Sequence, residues 1–230
     1  MKTAELPAGA AKAPAVEAMF DRISGRYDRM NRVISLGQDR RWRRHAIDAL
    51  GLPGSATVLD LACGTGDLCN DATARGYRPV GVDFSAGMLA SARTTAPLVR
   101  GDATNLPVPD ASVDGVVCGF ALRNFADLVA FFAECARVLR PGGRLASLDA
   151  AVPERALMRA GHHVWFRWTV PALGRVLAHD REAYAYLPAS TAYLPSPREL
   201  VALVERAGFA DVVRTTFTGG AVQLLTGTRR

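Results

Sequence analysis

The 230-residue sequence predicts an α/β fold with a mostly parallel sheet. Two observations carry this. Between residues 57 and 150, short apolar runs alternate with helical stretches of about 10–15 residues, which is the pattern of βαβ units. The first run also ends in a glycine-rich turn, "DLACGTGDL" (60–68), that opens a helix.

The elements follow in order. Residues 1–14 are rich in Ala, Gly and Pro and predict a mobile tail. Residues 15–50 carry helical periodicity with many charges and predict a helical N-terminal cap. "TVLDLA" (57–62) is a buried strand, and "GTGDLCNDATARG" is a helix closed by Gly76. "PVGVDF" (79–84) is a second strand, followed by the helix "SAGMLASARTTA" with Ser85 as N-cap. "LVRGDA" (98–103) is a third strand, and two prolines make "TNLPVPDAS" a loop. "VDGVVCGF" (113–120) is a fourth. "DLVAFFAECARVLR" is a helix with Asp127 at its start and Arg140 at its end, matching the dipole; "PGG" stops it, and "RLASLDA" (144–150) is the fifth strand.

After Ala150 the pattern changes to a helical insertion over 153–187. "SPRELVALVERAGF" is a helix with Pro197 in its first turn and Gly208 at its end. "DVVRTTF" and "AVQLLTGT" close the chain and predict an antiparallel C-terminal edge strand. This is the layout of a Rossmann-like class I methyltransferase domain (51–230), with the cap before it.

Composition narrows the function classes. Apolar residues make 49% and charged residues 22%, so wholesale disorder is excluded. The net charge of +6 is carried almost wholly by arginine, since Lys2 and Lys12 are the only lysines. No basic tract exceeds "RRWRR" (40–44), so no nucleic-acid partner is expected. That tract reads as a solvated helix face with Trp42 turned inward, or as an anionic-lipid contact. The four cysteines form no C-x-x-C pair and no His stands at zinc spacing, so no metal centre is predicted and the thiols read as small core residues of a reducing compartment. The N-terminus has no secretory h-region and no run of 18 apolar residues exists, which points to the cytoplasm.

The glycine-rich turn lies where open α/β sheets bind ligands. Gly64 and Gly66 let a ligand approach the backbone. Cys69 stands where a dinucleotide fingerprint has its third glycine, and Asp67 at the helix start would repel a diphosphate. S-adenosyl-L-methionine has no phosphate and a positive sulfur, so acids at the turn suit it. Asp83, ending the second strand, can accept hydrogen bonds from ribose hydroxyls. Asp102 can reach an adenine amino group and the Ala103 amide a ring nitrogen. Each acid also reads as a strand-end cap.

"VLDLACGTGDL", "GVDFSAGMLA", "GDATNLPVPDASVD", "FALRN" and "ECARVLRPGGRL" together resemble the C-methyltransferases of menaquinone and ubiquinone biosynthesis. "MFDRISGRYDRMNRVISLGQDRRWRRHAI" (19–47), "YAYLPAS" (184–190) and "FTGGAV" resemble the same family outside the sheet. The resemblance implies cofactor contacts at Thr65, Asp83, Asp102 and Ala103, another at Gly119 where the family often has serine, and a cap in which Tyr27 folds over the cofactor. Ala121 and Leu225 stand where the family usually has glycine and histidine. These departures bear on the acceptor. A small-molecule C- or O-methyltransferase for another hydroxyaromatic ring stays open beside a quinol enzyme.

The implied reaction moves a methyl group to a ring carbon of a lipid-soluble hydroquinone. Arg123 and Asn124, after the fourth strand, are the catalytic candidates: the arginine can hold a developing phenolate, or it can cap the helix that starts near Asp127. Within 155–178, Met158, Gly161, Trp165 and Trp168 fall near one helical stripe and Arg155, Arg159 and Arg167 near another; Pro171 should kink or end that helix. This suits a lid, or a peripheral contact with the inner face of the membrane.

Overall fold

Five apolar runs of the sequence become β1 (Thr57–Leu61), β2 (Arg78–Asp83), β3 (Leu98–Arg100), β4 (Val113–Gly119) and β5 (Leu139–Ala150), all parallel. The computed structural model describes residues 9–164, 186 and 189–230. With β6 (Phe209–Phe217) and β7 (Val222–Arg229), the sheet order is β3-β2-β1-β4-β5-β7-β6. The order reverses between β1 and β4, which opens a crevice at their carboxyl ends.

The closing pair of strands supplies the antiparallel edge, as expected. β7 lies between β5 and β6, antiparallel to both, and β6 takes the edge. The side chains explain this. Val222, Gln223, Leu224 and Leu225 of β7 are buried in succession, as an interior strand requires, whereas β6 alternates exposed and sheltered positions.

Seven α-helices flank the sheet among the described residues: α1 (Lys12–Ile34), α2 (Asp39–Leu50), α3 (Asp67–Ala74), α4 (Ala86–Ala90), α5 (Leu128–Val138), α6 (Ala156–Val164) and α7 (Pro197–Arg206). One core layer joins the sheet to α5 and α7 through Phe131, Phe132 and Leu200; the other joins it to α2 and α3 through Ile47, Leu50 and Leu68. All four cysteines are free and buried.

Three boundaries differ from expectation. The cap begins at Lys12, inside the stretch predicted as tail, after a 3₁₀ turn over Gly9–Ala11. The buried Lys12 ammonium donates to the Phe125 carbonyl (2.7 Å) and lies 3.7 Å from the Tyr193 ring centre, a long-range anchor that composition does not reveal. Pro14 falls in the first turn, where its missing N–H costs nothing. α4 stops at Ala90 because the next residues serve the glycine-rich turn: the Arg93 amide donates to Thr65 O (2.9 Å) and the Asn70 side chain to Arg93 O (2.9 Å). α5 ends at Val138, so Arg140 is not its terminal base. The chain extends at Leu139 to pair with Val113, and Arg140 bonds Asp114 instead.

α6 is helical, as the start of the stretch 153–187 predicts. Trp165, Arg167, Trp168 and Pro171 lie outside the described residues, as does most of "YAYLPAS".

Candidate active site

At the end of β1 the chain turns through left-handed Ala62, Gly64 and Gly66 (φ 55°, 56° and 86°) into α3. The two glycines serve different needs. A side chain at Gly64 would meet no protein atom, so the backbone conformation and the open space before it matter there. A Cβ at Gly66 would lie 2.5 Å from Thr94 Cγ2, so Gly66 is needed for packing and stands behind the cavity wall.

The cavity at this crevice measures about 260 Å³. Gly64, Thr65, Asp83, Asp102, Ala103, Gly119, Asn124 and Tyr27 line it, so eight of the ten sequence candidates meet there. Asp83 is held by the amides of Gly64 (to Oδ2, 2.7 Å) and Ser85 (to Oδ1, 2.8 Å). Burial nevertheless raises its pKa above the usual carboxylate value. Asp102 Oδ1 accepts from the Thr104 amide and hydroxyl, both at 2.8 Å, so the strand-end cap is real and Oδ2 is left over. Gly119 leaves room for Leu68, whose Cδ1 would lie 2.6 Å from an added Cβ.

Sequence reasoning missed Asp60. It is 1% exposed and lines the cavity; Oδ2 accepts from the Cys69 thiol (3.3 Å) and Oδ1 has no partner. Burial pushes its pKa up to about 7. The signal was its place at the end of an apolar strand, just before the turn. Seven carboxylates line this cavity (Glu17, Asp28, Asp60, Asp67, Asp83, Asp102, Asp127) against one arginine, Arg43, so it favours a cationic ligand and disfavours a diphosphate.

α1 closes the cavity from above. Thr65 Oγ1 donates to Asp28 Oδ1 (2.6 Å), and Asp21 Oδ1 accepts from Ser85 Oγ (2.5 Å) and the Gly87 amide (2.9 Å). A Cβ at Gly87 would lie 2.9 Å from Asp21 Cα, so glycine permits this approach. Arg43, the fourth residue of "RRWRR", is not solvated. It is buried among Asp39 (2.8 Å), Asp67 (2.9 Å) and Asp71 (3.3 Å), which ties α2 to the start of α3. Burial opposes its charge, and Asp67, Asp39 and Asp71 together outweigh burial. Trp42 is turned inward as expected.

A second, larger cavity of about 600 Å³ adjoins the first; Tyr27, Asn31, Arg43 and Phe120 line both. Its wall includes Ile34, Leu36, Trp42, Leu157, Met158 and Val222, with Arg123 set among them. Arg123 and Asn124 are thus divided: the arginine faces the second cavity, while Asn124 faces the first and accepts from the Tyr186 hydroxyl (3.1 Å). Arg123 does not cap α5, whose N-cap is Asp127. Its guanidinium and its amide both bond Asp149, a fully buried residue that sequence reasoning passed over. Among the described residues, three buried side-chain atoms lack a hydrogen-bond partner: Asp60 Oδ1, Arg123 Nε and Ser147 Oγ. Ser147 pairs across the sheet with Leu225.

Residues 8–229 match the model of the ubiE/COQ5 methyltransferase family. This chain belongs to the ubiE/COQ5 methyltransferase family. Within it, the chain is 41% identical over 239 residues to the demethylmenaquinone methyltransferase of Roseiflexus sp. (strain RS-1), covering 100% of both. It is also 41% identical to the ubiquinone/menaquinone biosynthesis C-methyltransferase UbiE of Desulfotalea psychrophila, covering 95% of this chain and 92% of that one. The fold of this family member is similar to that of a SAM-dependent methyltransferase from Thermotoga maritima (TM-score 0.64, 20% identity, 93% and 99% covered). It is also similar to Haemonchus contortus phosphoethanolamine N-methyltransferase 2, solved with S-adenosyl-L-methionine (TM-score 0.61, 13% identity, 82% and 52% covered). The chain is accordingly a class I methyltransferase.

Proposed function

We propose that this methyltransferase uses S-adenosyl-L-methionine to methylate a ring carbon of a lipid-soluble hydroquinone, a demethylmenaquinol or the corresponding ubiquinol precursor. The observation that carries the reading is the meeting of an acidic cavity and an apolar one, with a buried arginine in the apolar wall. The family relatives' named activities agree with it.

The acidic cavity fits the cofactor chemically. Its carboxylates suit a positive sulfur and ammonium, and the orphaned Asp60 oxygen offers a buried acceptor. When bound, the cofactor supplies an electrophilic methyl group. Asp83 keeps a lone pair on each oxygen for ribose hydroxyls, and the leftover Asp102 oxygen can accept from an adenine amino group. The Asp28–Thr65 and Asp21–Ser85 bonds hold α1 over the site.

Arg123 holds the acceptor oxygen. A hydroquinone becomes nucleophilic at carbon as its hydroxyl loses a proton, and a guanidinium stabilises the phenolate that forms. Arg123 stays charged because Asp149 outweighs the burial that opposes it. Its Nε is buried without a hydrogen-bond partner, so the guanidinium is not fully satisfied by Asp149. Arginine is too weak an acid to serve as the base itself, since its pKa exceeds about 12.

Leu36 and Leu157, 73% and 78% exposed, stand at the wall of the apolar cavity beside half-exposed Met158. No helix among the described residues is long and apolar enough to cross a membrane. The proposal therefore places the enzyme peripherally on the lipid that holds its substrate.

Single-turnover transfer of a labelled methyl group tests the function. The reduced demethylquinol should accept it and the oxidised quinone should not; equal labelling, or none, contradicts the proposal.

A further inference from the structure

Phe120 stands where the two cavities meet, and the chemistry above gives it no task. It directly follows β4, at the point where the sheet order reverses. Its backbone is left-handed, φ 59°, a conformation that bulky residues rarely adopt. Its amide is anchored to Leu148 O at 2.6 Å. Its half-buried ring leans on Trp42 of α2, with centroids 6.3 Å apart and planes inclined at 58°. A backbone strained in this way persists where the surroundings over-determine it, and such residues cluster at ligand clamps.

Methyl transfer to carbon needs more than an apolar pocket. The attacking carbon must face the methyl group along the line of the bond that breaks, so the tilt of the acceptor ring is fixed in the reactive pose. Aliphatic walls shelter a ring without setting its tilt. An aromatic face sets it, because stacked and edge-on pairs have preferred geometries. Phe120 is an aromatic residue that lines both the acidic and the apolar cavity.

We propose that Phe120 is a positioning residue: its ring, held at the junction by Leu148 and Trp42, sets the tilt of the acceptor ring and selects aromatic acceptors. The inference rests on the function proposed above.

The test compares the parent with Phe120→Leu, Phe120→Tyr and Phe120→Gly. The acceptor is a short-chain demethylmenaquinol kept reduced, and S-adenosylhomocysteine affinity is measured by calorimetry. Leucine keeps apolar bulk without an aromatic face, and should raise KM for the quinol about tenfold or more while leaving S-adenosylhomocysteine affinity within about twofold. Tyrosine keeps the face and should stay within about threefold of the parent. Glycine takes the left-handed backbone without strain, so it should fold even if leucine does not, and should share leucine's rise in KM. Leucine or glycine kinetics that match the parent overturn the proposal. So does a parallel loss of S-adenosylhomocysteine affinity, which would give the ring a cofactor task instead. A parent that methylates no quinol would contradict the function itself, a result distinct from an active parent matched by its leucine variant.

Discussion

Arg123 and Asp149 form an ion pair that is buried on both sides, and Arg123 lines the apolar cavity. The Ala150 amide also donates to Asp149 (2.7 Å), so the carboxylate is satisfied, while Arg123 keeps one unpaired donor. Buried pairs gain little net stability, because desolvation offsets their attraction. This one is placed where a fixed positive charge has chemical use.

The two roles separate by mutation. Arg123→Ala strands the Asp149 charge and should destabilise the fold by about 3–5 kcal/mol. It should also lower kcat by about 10²–10⁴. The double variant Arg123→Met/Asp149→Leu removes both charges, so it should recover most of the stability and none of the activity. Urea unfolding and single-turnover kinetics on the same preparations check this. A double variant with activity within a few-fold of the parent would remove Arg123 from the mechanism.

Asp83→Ala should weaken S-adenosylhomocysteine binding at least tenfold, since two charge-assisted bonds are worth about 2–4 kcal/mol. The loss also frees the Gly64 and Ser85 amides, and Asp83→Asn restores an acceptor to only one of them because its NH2 cannot accept, so both variants should lose affinity. Calorimetry on folded variants reads the effect. Tight NADH binding by the parent would count against the cofactor assignment.

Asp60 gives a pH signature. Its folded pKa of about 7 lies above the unfolded value of about 3.9, so the folded state holds more protons between those limits. Stability should therefore fall as pH rises from about 4 to 7 and level off above. Asp60→Asn should flatten that fall. It should not abolish it, because burial also raises Asp67, Asp71 and Asp83. Melting temperatures at several pH values decide the point; parallel curves for parent and variant would exclude Asp60 as a source.

Membrane contact should depend on the exposed leucines. Leu36→Glu/Leu157→Glu should lower sedimentation with anionic vesicles while leaving S-adenosylhomocysteine affinity unchanged. Added salt should weaken the parent's binding where arginines contribute, since screening acts within about 8 Å at 0.15 M. Equal sedimentation of parent and variant would leave these leucines without a lipid role.

Much of this was legible in residue order. Strand-turn-helix punctuation located β1, β2, β4 and β5, because buried parallel strands read as unbroken apolar runs. The acids at strand ends, Asp83 and Asp102, do meet in the acidic cavity. What stayed hidden depends on contacts far apart in sequence. Lys12 reads as tail until Phe125 and Tyr193 anchor it, 113 residues away in the first case. Arg43 reads as solvated until three aspartates surround it, and Asp149 reads as an ordinary strand residue until Arg123 folds onto it. The place of β7 inside the sheet follows from a long-range pairing with β5 that local patterning does not specify.

The central claim is methyl transfer to a quinol ring carbon, and the product itself tests it most directly. The purified protein would be incubated with methyl-labelled S-adenosyl-L-methionine and reduced lipid extract, and the labelled product analysed by mass spectrometry. The account predicts one labelled lipid, heavier than its demethyl precursor by one methylene, with the label retained on the ring after the hydroxyls are cleaved or derivatised. Label lost with the oxygen substituents, or found only in water-soluble products, would contradict it.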